Sequence, residues 1–314
     1  MQCLHKFFIS ASISLTNPPN SQAKNPAFHA TCRIRYCDEG VRENASKKAF
    51  SLPPNVNSII STSNPFVKHC VKLRQSSSYR HLHGMVLVVG TTPLREIYSS
   101  HMSESAVRVV EVSPEVIRKI SGVQSVDSVE VIALMRIPSS FRIINKHDED
   151  CRTLFPFPHR ILVLDGIQDP GNLGTLVRSA TAFRWDGVFL LPGCCDPFND
   201  KALRACRGAS FQIPIVSGSW ENVGDLRDEF QMRMLAGHPS KGDDLKPVMK
   251  LSKDLAESME GLPLCLVLGS EGAGLSQFSR RDCELVSIPM AGEFESLNVS
   301  VAGGIFMYML LRHK

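Results

Sequence analysis

From residue 161 to the end of the chain, one pattern repeats: a short apolar run, a turn rich in small residues, then a helix-length segment. Strands are expected at Ile161 to Leu164, Val188 to Leu191, Ile213 to Val216, Met232 to Ala236, Leu264 to Leu268 and Val286 to Ile288. Helices are expected at Leu173 to Phe183, Lys201 to Cys206, Glu221 to Phe230, Gln277 to Cys283 and Leu297 to Leu311. Regular alternation of strands and helices with short loops favours parallel strands, because each helix carries the chain back to where the next strand can start in the same direction. The pattern therefore predicts an α/β domain over 159–314, a parallel sheet wrapped by helices. General topology rules make it an unknotted, doubly wound sheet.

Upstream, residues 55–145 read as a second, smaller α/β domain. Asn64-Pro65 is a helix start, with Asn64 capping and Pro65 in the first turn. Phe66, Val67, Cys70, Val71 and Leu73 then form an apolar stripe, with Lys68 and Lys72 on the opposite face. Met85 to Val89, Val107 to Val112 and Val129 to Arg136 read as strands, and Pro93 to Tyr98 and Pro114 to Ser121 as helices. Residues 146–158, with His147-Asp148-Glu149-Asp150 and Phe155-Pro156-Phe157-Pro158, read as a linker.

The first 37 residues contain no Asp or Glu, but carry Lys6, Lys24, Arg33 and Arg35 among Ser, Thr, Asn and Pro. Residues 1–52 are therefore expected to be disordered, as an organellar transit peptide or an untargeted tail. Richness in Ser favours the chloroplast over the mitochondrion. No apolar run is long enough to span a membrane. The formal charge of +4 is mild, yet no acidic residue falls between Glu43 and Glu96, where seven Lys and Arg do. Such a stretch is either a solvated face or a footprint for phosphates. The ten cysteines form no C-x-x-C pair, and Cys194-Cys195 are adjacent, so neither zinc nor a disulfide framework is expected.

Three loops carry the candidate chemistry. The first is Asp169-Pro170-Gly171-Asn172-Leu173-Gly174 with Arg178. Six residues, taken as nearly two turns, separate Asn172 and Arg178, which are expected on one helix face, within about 60° of each other around the axis. The second, Gly269-Ser270-Glu271-Gly272-Ala273-Gly274-Leu275, leaves an apolar run and turns at once. Its spacing is neither the dinucleotide G-x-G-x-x-G nor a phosphate-binding P-loop. Alone, such a loop is more often a structural turn, although a carboxylate inside it suits orienting an arginine or a hydroxyl. The third pairs Ile288-Pro289-Met290 with Ser296-Leu297-Asn298-Val299-Ser300 at a helix start, where Ser296 and Asn298 are also candidate N-caps.

In order and spacing these three loops resemble the motifs of the SpoU-type (SPOUT superfamily) RNA 2′-O-ribose methyltransferases. Residues 60–145 resemble the substrate-binding domain that precedes the catalytic domain in that family, through Ser63 to Lys68, Gly84 to Gly90 and Val112 to Val116. Val89 stands where the family commonly has an acidic residue. The resemblance implies a trefoil knot in the C-terminal domain, S-adenosylmethionine as methyl donor, an RNA substrate, a homodimer and no metal. It implies a cofactor pocket formed by Gly269, Gly272, Gly274, Ile288, Met290 and Leu297, and catalytic roles for Asn172, Arg178, Glu271, Ser296 and Asn298.

The implied reaction is attack of a ribose 2′-hydroxyl on a sulfonium methyl group. A guanidinium with a pKa above ~12 is a poor base. Arg178 is therefore expected to clamp the target phosphate and align the hydroxyl. RNA contacts are expected from Lys68, Lys72 and Arg74, and from Arg204 and Arg207 in the run Lys201 to Ser210, where they would share a helix face. The expected activity is ribose methylation of organellar large-subunit rRNA. The rival readings are a tRNA enzyme and a catalytically silent ribosome-assembly factor. A nucleotide-binding dehydrogenase is disfavoured by the absence of its glycine fingerprint.

Overall fold

The structure, a computed structural model, describes residues 7–12, 58–100, 106–124, 129, 131–144, 151–239 and 246–311. The chain divides into two compact units, one ending at Arg136 and the other beginning at Ile137.

The first unit contains strands β1 (Phe7–Ser12), β2 (Ser58–Ile59), β3 (Met85–Val89), β4 (Ala106–Val112) and β5 (Val131–Arg136). They form one sheet in the order β2-β4-β1-β5-β3. Its helices are α1 (Pro65–Gln75), α2 (Ser77–His83), α3 (Thr91–Ser100) and α4 (Pro114–Ser121). Helix α1 starts as expected, the Asn64 side chain accepting from the Phe66 amide at 2.9 Å. Its Val67, Cys70 and Leu73 share a core with Val116, Ile117 and Ile120 of α4 and with Leu87, Ile132 and Leu134 of the sheet.

Two features depart from expectation. Helix α2 has no apolar stripe to announce it; its anchor is the buried Arg80, whose Nη1 donates to the carbonyls of Leu73 (2.7 Å) and Arg74 (2.9 Å). Within the stretch 1–52 expected to be disordered, Phe7–Ser12 is a strand, antiparallel to β4 and parallel to β5. Composition averaged over 52 residues hides the short run Phe7-Phe8-Ile9, whose residue types favour strands. The rest of that stretch lies outside the described residues.

The second unit opens with β6 (Phe141–Ile143) and α5 (Cys151–Leu154), followed by β7 (Arg160–Asp165), α6 (Pro170–Ala182), β8 (Gly187–Leu190) and α7 (Asp200–Cys206). There follow β9 (Ile215–Ser217), α8 (Trp220–Phe230), β10 (Arg233–Gly237), β11 (Val248–Lys250) and α9 (Lys253–Ser258). The last elements are β12 (Leu264–Gly269), α10 (Gln277–Asp282), β13 (Glu284–Ser287) and α11 (Val299–Met309). The eight strands lie in the order β11-β13-β10-β12-β7-β8-β9-β6. All seven pairings are parallel, as expected from the alternation.

The expected boundary at 145 and the expected linker are both corrected. Strand β6 belongs to the second sheet through its pairing with β9. Its three residues are too few for periodicity to register. Of the linker, Leu154 and Phe155 are buried in the second unit's core. Gly187 is required here, since a Cβ on it would collide with the Phe155 ring.

Strands late in the chain occupy slots between earlier ones: β12 between β7 and β10, and β13 between β10 and β11. The carboxyl ends of four strands from distant parts of the sequence are thereby neighbours, which is where ligands bind in open α/β sheets. Helix α11 closes against α6, and its Gly303 allows Leu176 and Leu268 to approach closer than any Cβ would permit. The far end of α11 is held by buried Arg160, which donates to the carbonyls of Leu310 (2.9 Å), Leu262 (2.5 Å) and Met259 (3.1 Å).

Candidate active site

At those carboxyl ends lies a cavity of about 480 Å³, within the range typical of small-molecule sites. Its walls are Gly237, His238 and Pro239 after β10, Leu268 to Glu271 with Gly274 and Leu275 after β12, and Ile288 and Met290 after β13. Glu295, Ser296, Leu297 and the α11 residues Val299, Ala302 and Phe306 complete it, together with Arg280 of α10.

The loop after β12 is tight for a local reason. The Ser270 amide donates to the Gly274 carbonyl (3.1 Å), and the Gly274 amide donates back to Ser270 (2.9 Å). Gly274 has φ +68° and a Cβ on Gly269 would collide with the Gly274 carbonyl, so both positions need glycine. Gly272 differs. It sits at the exposed tip of the turn, does not line the cavity, and a Cβ there would meet nothing within 4 Å. Its expected role in the cofactor pocket is not supported by its position.

A second constraint on this loop comes from Asp165, only 9% exposed, at the end of β7. Its Oδ2 accepts from the Ser276 amide (2.8 Å) and the Ser279 hydroxyl (2.6 Å), fixing the start of α10. Asp165 is not among the residues expected from the sequence, although an acidic residue directly after the apolar run Ile161 to Leu164 is a signal.

Three polar residues expected to be catalytic meet at one oxygen. Glu271 Oε1 accepts from Asn172 Nδ2 (2.6 Å) and from Asn298 Nδ2 (2.7 Å). Asn298 Nδ2 is also 3.2 Å from Asn172 Oδ1. Both asparagines are held from behind. Asn172 donates its own amide to Asp169, the N-cap of α6. Asn298 is the N-cap of α11, its Oδ1 accepting from the amides of Ser300 (2.9 Å) and Val301 (3.4 Å) and from the Ser300 hydroxyl (2.6 Å). With the Asn298 oxygen so engaged, its NH₂ must point at Glu271. The N-cap is thus Asn298 and not Ser296, which lies free of the helix on the cavity wall.

The other expected residues divide. Gly269, Gly274, Ile288, Met290 and Leu297 line the cavity; Arg178 does not. Six residues advance a helix by 600°, so Asn172 and Arg178 point about 120° apart and lie about 9 Å apart along α6. They do not share a face, contrary to expectation. Arg178 is exposed, with no hydrogen-bond or ion-pair partner among the described residues. Arg204 pairs with Asp200 at 3.0 Å. Arg207 has left-handed backbone (φ +52°) beyond the end of α7, so it does not continue the face that carries Arg204.

In the first unit Lys68 and Lys72 are exposed, and Lys72 Nζ lies 5.7 Å from the centroid of the Tyr79 ring. Arg74 is half-buried with its guanidinium packed against Gly122, and its Nε is buried without a hydrogen-bond partner. Its place is structural, tying α1 to the end of α4.

Burial pushes the Cys194 thiol up to about 11 and the Cys195 thiol up to about 12. Neither is a nucleophile at neutral pH. Among the described residues no group of three or more His, Cys, Asp or Glu could hold a metal ion. Among them, too, no helix is long and apolar enough to cross a membrane.

Residues 159–308 match the SpoU rRNA Methylase family. Over 288 residues the chain is 28% identical to an uncharacterized tRNA/rRNA methyltransferase of Synechocystis sp., covering 84% of this chain and 97% of that one. It is 35% identical over 152 residues to the Bacillus subtilis 23S rRNA (guanosine(2553)-2′-O)-methyltransferase, 48% of this chain and 57% of the relative. Among solved structures, an AdoMet-bound rRNA methyltransferase from Sinorhizobium meliloti superposes with a TM-score of 0.64 at 22% identity, covering 81% of this chain and 97% of that one. An RNA 2′-O ribose methyltransferase superposes with a TM-score of 0.62 at 24% identity, covering 81% and 98%. These superpositions establish the α/β fold with its parallel central sheet, and the family match places the chemistry-bearing loops in a known frame. Residues 159–308 of this chain are a SpoU methylase domain.

Proposed function

We propose that the protein transfers a methyl group from S-adenosylmethionine to a ribose 2′-hydroxyl of RNA, and that its substrate is organellar large-subunit rRNA. The observation that carries this reading is the junction of Asn172, Glu271 and Asn298 at the rim of the cavity. Three loops that the sequence keeps far apart there converge on one carboxylate oxygen beside a space of cofactor size.

The cofactor supplies an electrophilic methyl group, and the chain supplies position. The apolar walls formed by Leu268, Ile288, Leu297 and Phe306 suit an adenosine, and the backbone at Gly269 and Gly274 permits close approach. Glu271, fixed by two amide donors, can accept a hydrogen bond from the attacking hydroxyl and hold it in line. Ser296 offers a hydroxyl on the same wall. Arg178 clamps the phosphate beside the target ribose, and Lys68, Lys72 and Arg204 add sequence-independent attraction to the backbone.

Further features of this reading rest on separate observations. Helix α11 reads Val-Ser-Val-Ala-Gly-Gly-Ile-Phe-Met-Tyr-Met, apolar nearly all round, yet Val301 is 52% and Tyr308 61% exposed. A helix of that composition belongs in an interior, so a second copy of the chain covers it in a homodimer. Insertion of β12 and β13 between earlier strands supports a trefoil knot in the threading of the C-terminal segment. The acid-free N-terminal composition supports import into the chloroplast. Strand β1 falls within that leader, so processing that removed it would free the edges of β4 and β5.

The test uses methyl-labelled S-adenosylmethionine and unmodified organellar rRNA. Label appearing in alkali-resistant dinucleotides, and lost with Glu271→Ala, supports the reading. Cofactor binding without label in rRNA, but with label in tRNA, would replace the substrate. A protein that binds no cofactor is the silent RNA-binding factor. Light scattering near the mass of one chain would remove the homodimer, and a reporter fused to residues 1–52 that stays in the cytosol would remove the import signal.

A further inference from the structure

We propose that Arg280 is the residue that holds the carboxylate of the methyl donor's amino-acid end. This rests on the cavity being the S-adenosylmethionine site.

S-adenosylmethionine carries three charges, the sulfonium, the α-ammonium and the α-carboxylate. The acidic side chains on the cavity wall, Glu271 and Glu295, suit the two cationic groups. They repel the third. A carboxylate brought into a partly desolvated cavity needs a compensating donor, because removing it from water unpaired is costly. Among the described residues that line the cavity, Arg280 is the one permanent cation.

Its position is set independently of any ligand. The adjacent Ser279 is buried and donates to Asp165 at 2.6 Å, and the Ser276 amide that begins α10 donates to the same oxygen at 2.8 Å. With α10 so tied to the end of β7, the Arg280 guanidinium comes to rest against the tight loop: a Cβ built on Gly274 would lie 3.6 Å from its Nη2. The guanidinium is therefore beside Gly274, the partner of Ser270 across the loop, and marks a polar end of the cavity, whose lining also includes the apolar Leu268 and Phe306. An amino-acid tail directed to that polar end meets a planar fork able to take a carboxylate in two parallel hydrogen bonds.

The test measures binding rather than turnover. S-adenosylhomocysteine and 5′-methylthioadenosine share the thioadenosine portion, but only the first has the amino-acid end. Calorimetric titration of both into the full chain and into Arg280→Ala and Arg280→Lys separates the two portions. The expected result is that Arg280→Ala weakens S-adenosylhomocysteine by on the order of 10- to 100-fold and leaves methylthioadenosine within about 2-fold, with Arg280→Lys between. Arg280 is exposed on its helix, so unchanged melting temperatures serve as the folding control. Equal losses for both ligands, or no loss for either, would overturn the proposal. So would an unchanged S-adenosylhomocysteine affinity with weakened RNA binding, which would assign Arg280 to a phosphate. If the unaltered chain binds neither ligand, the reading of the cavity falls first and takes this proposal with it.

Discussion

Asn172 Nδ2 lies 2.6 Å from Glu271 Oε1, although 99 residues separate the two. The same oxygen accepts from Asn298 at 2.7 Å, so the carboxylate is held from two sides before any substrate arrives. Glu271→Ala is expected to lower the rate of methyl transfer on the order of 10²- to 10³-fold. S-adenosylhomocysteine affinity should change far less. Glu271→Gln keeps an oxygen for both amides but loses the charge and the second acceptor oxygen, so it should fall between the unaltered chain and alanine. Single-turnover transfer measured beside calorimetric binding checks the pair.

Asn298 serves the helix and the site with different atoms, the oxygen capping α11 and the NH₂ meeting Glu271. Asn298→Ser keeps a good cap and abandons Glu271. Its melting curve should stay within about 0.5 kcal/mol of the unaltered chain, while methyl transfer falls. Asn298→Ala should lose both, including about 1 kcal/mol for the missing cap. Denaturant titration and the labelled-methyl assay report the two quantities separately.

Gly303 is where α11 approaches Leu176 of α6 and Leu268 of β12. Gly303→Ala forces those leucines aside and should cost about 1–3 kcal/mol, as overpacking of a filled core does. Leu268 also lines the cavity, so cofactor affinity should fall with stability. Thermal unfolding and a binding titration on the same protein test whether the two losses travel together.

Asp282 gives a pH signature. The neighbouring Arg281 guanidinium, and to a lesser degree the Trp220 indole donating at 2.9 Å, hold its carboxyl down at about 2. A depressed folded pKa stabilises the protein above the ordinary carboxylate value, ~3.9, and that contribution is lost as pH falls from about 4 toward 2. Arg281 is adjacent in sequence and accompanies Asp282 in the unfolded chain as well, so the tertiary part belongs to Trp220 and, more weakly, to Arg227. Asp282→Asn and Trp220→Phe should each flatten the acid limb of a stability-versus-pH curve between pH 4 and 2, leaving pH 7 to 8 parallel to the unaltered chain.

The paired cysteines give a chemical check. With their thiols raised to about 11 and about 12 by burial, Cys194 and Cys195 should resist a thiol-disulfide reagent at pH 8 in the folded protein. Both should react at once in denaturant. Rapid modification under native conditions, mapped to either residue by mass spectrometry, would contradict the half-buried placement of both thiols after β8.

Much of the second unit was legible because its signals are local. Six apolar runs marked six of its eight strands, and Asn298 was one of two candidate caps at the start of the last helix; the cap at Asp169 was not foreseen. The strands that escaped, β6 and β11, have three residues each and no buried face continuous enough to show a period. Helix α2 escaped because a single buried arginine, rather than an apolar stripe, secures it. The Asn172–Arg178 pairing failed on geometry: a spacing of six carries a helix past the face it started from.

The sequence by itself determined the parallel α/β character and the sharp turn at Gly269 to Gly274, since each follows from backbone sterics or hydropathy within a few residues; the set of polar site residues came from the resemblance of its three loops to a known family. Only the tertiary structure decided that Asn172, Glu271 and Asn298 share one oxygen, that Arg280 and His238 reach the same cavity, and that Gly272 and Arg178 do not line it. Those outcomes depend on which strand fills which slot in the sheet. Inserting β12 beside β7 and β13 beside β10 is a choice among long-range pairings that no local pattern encodes.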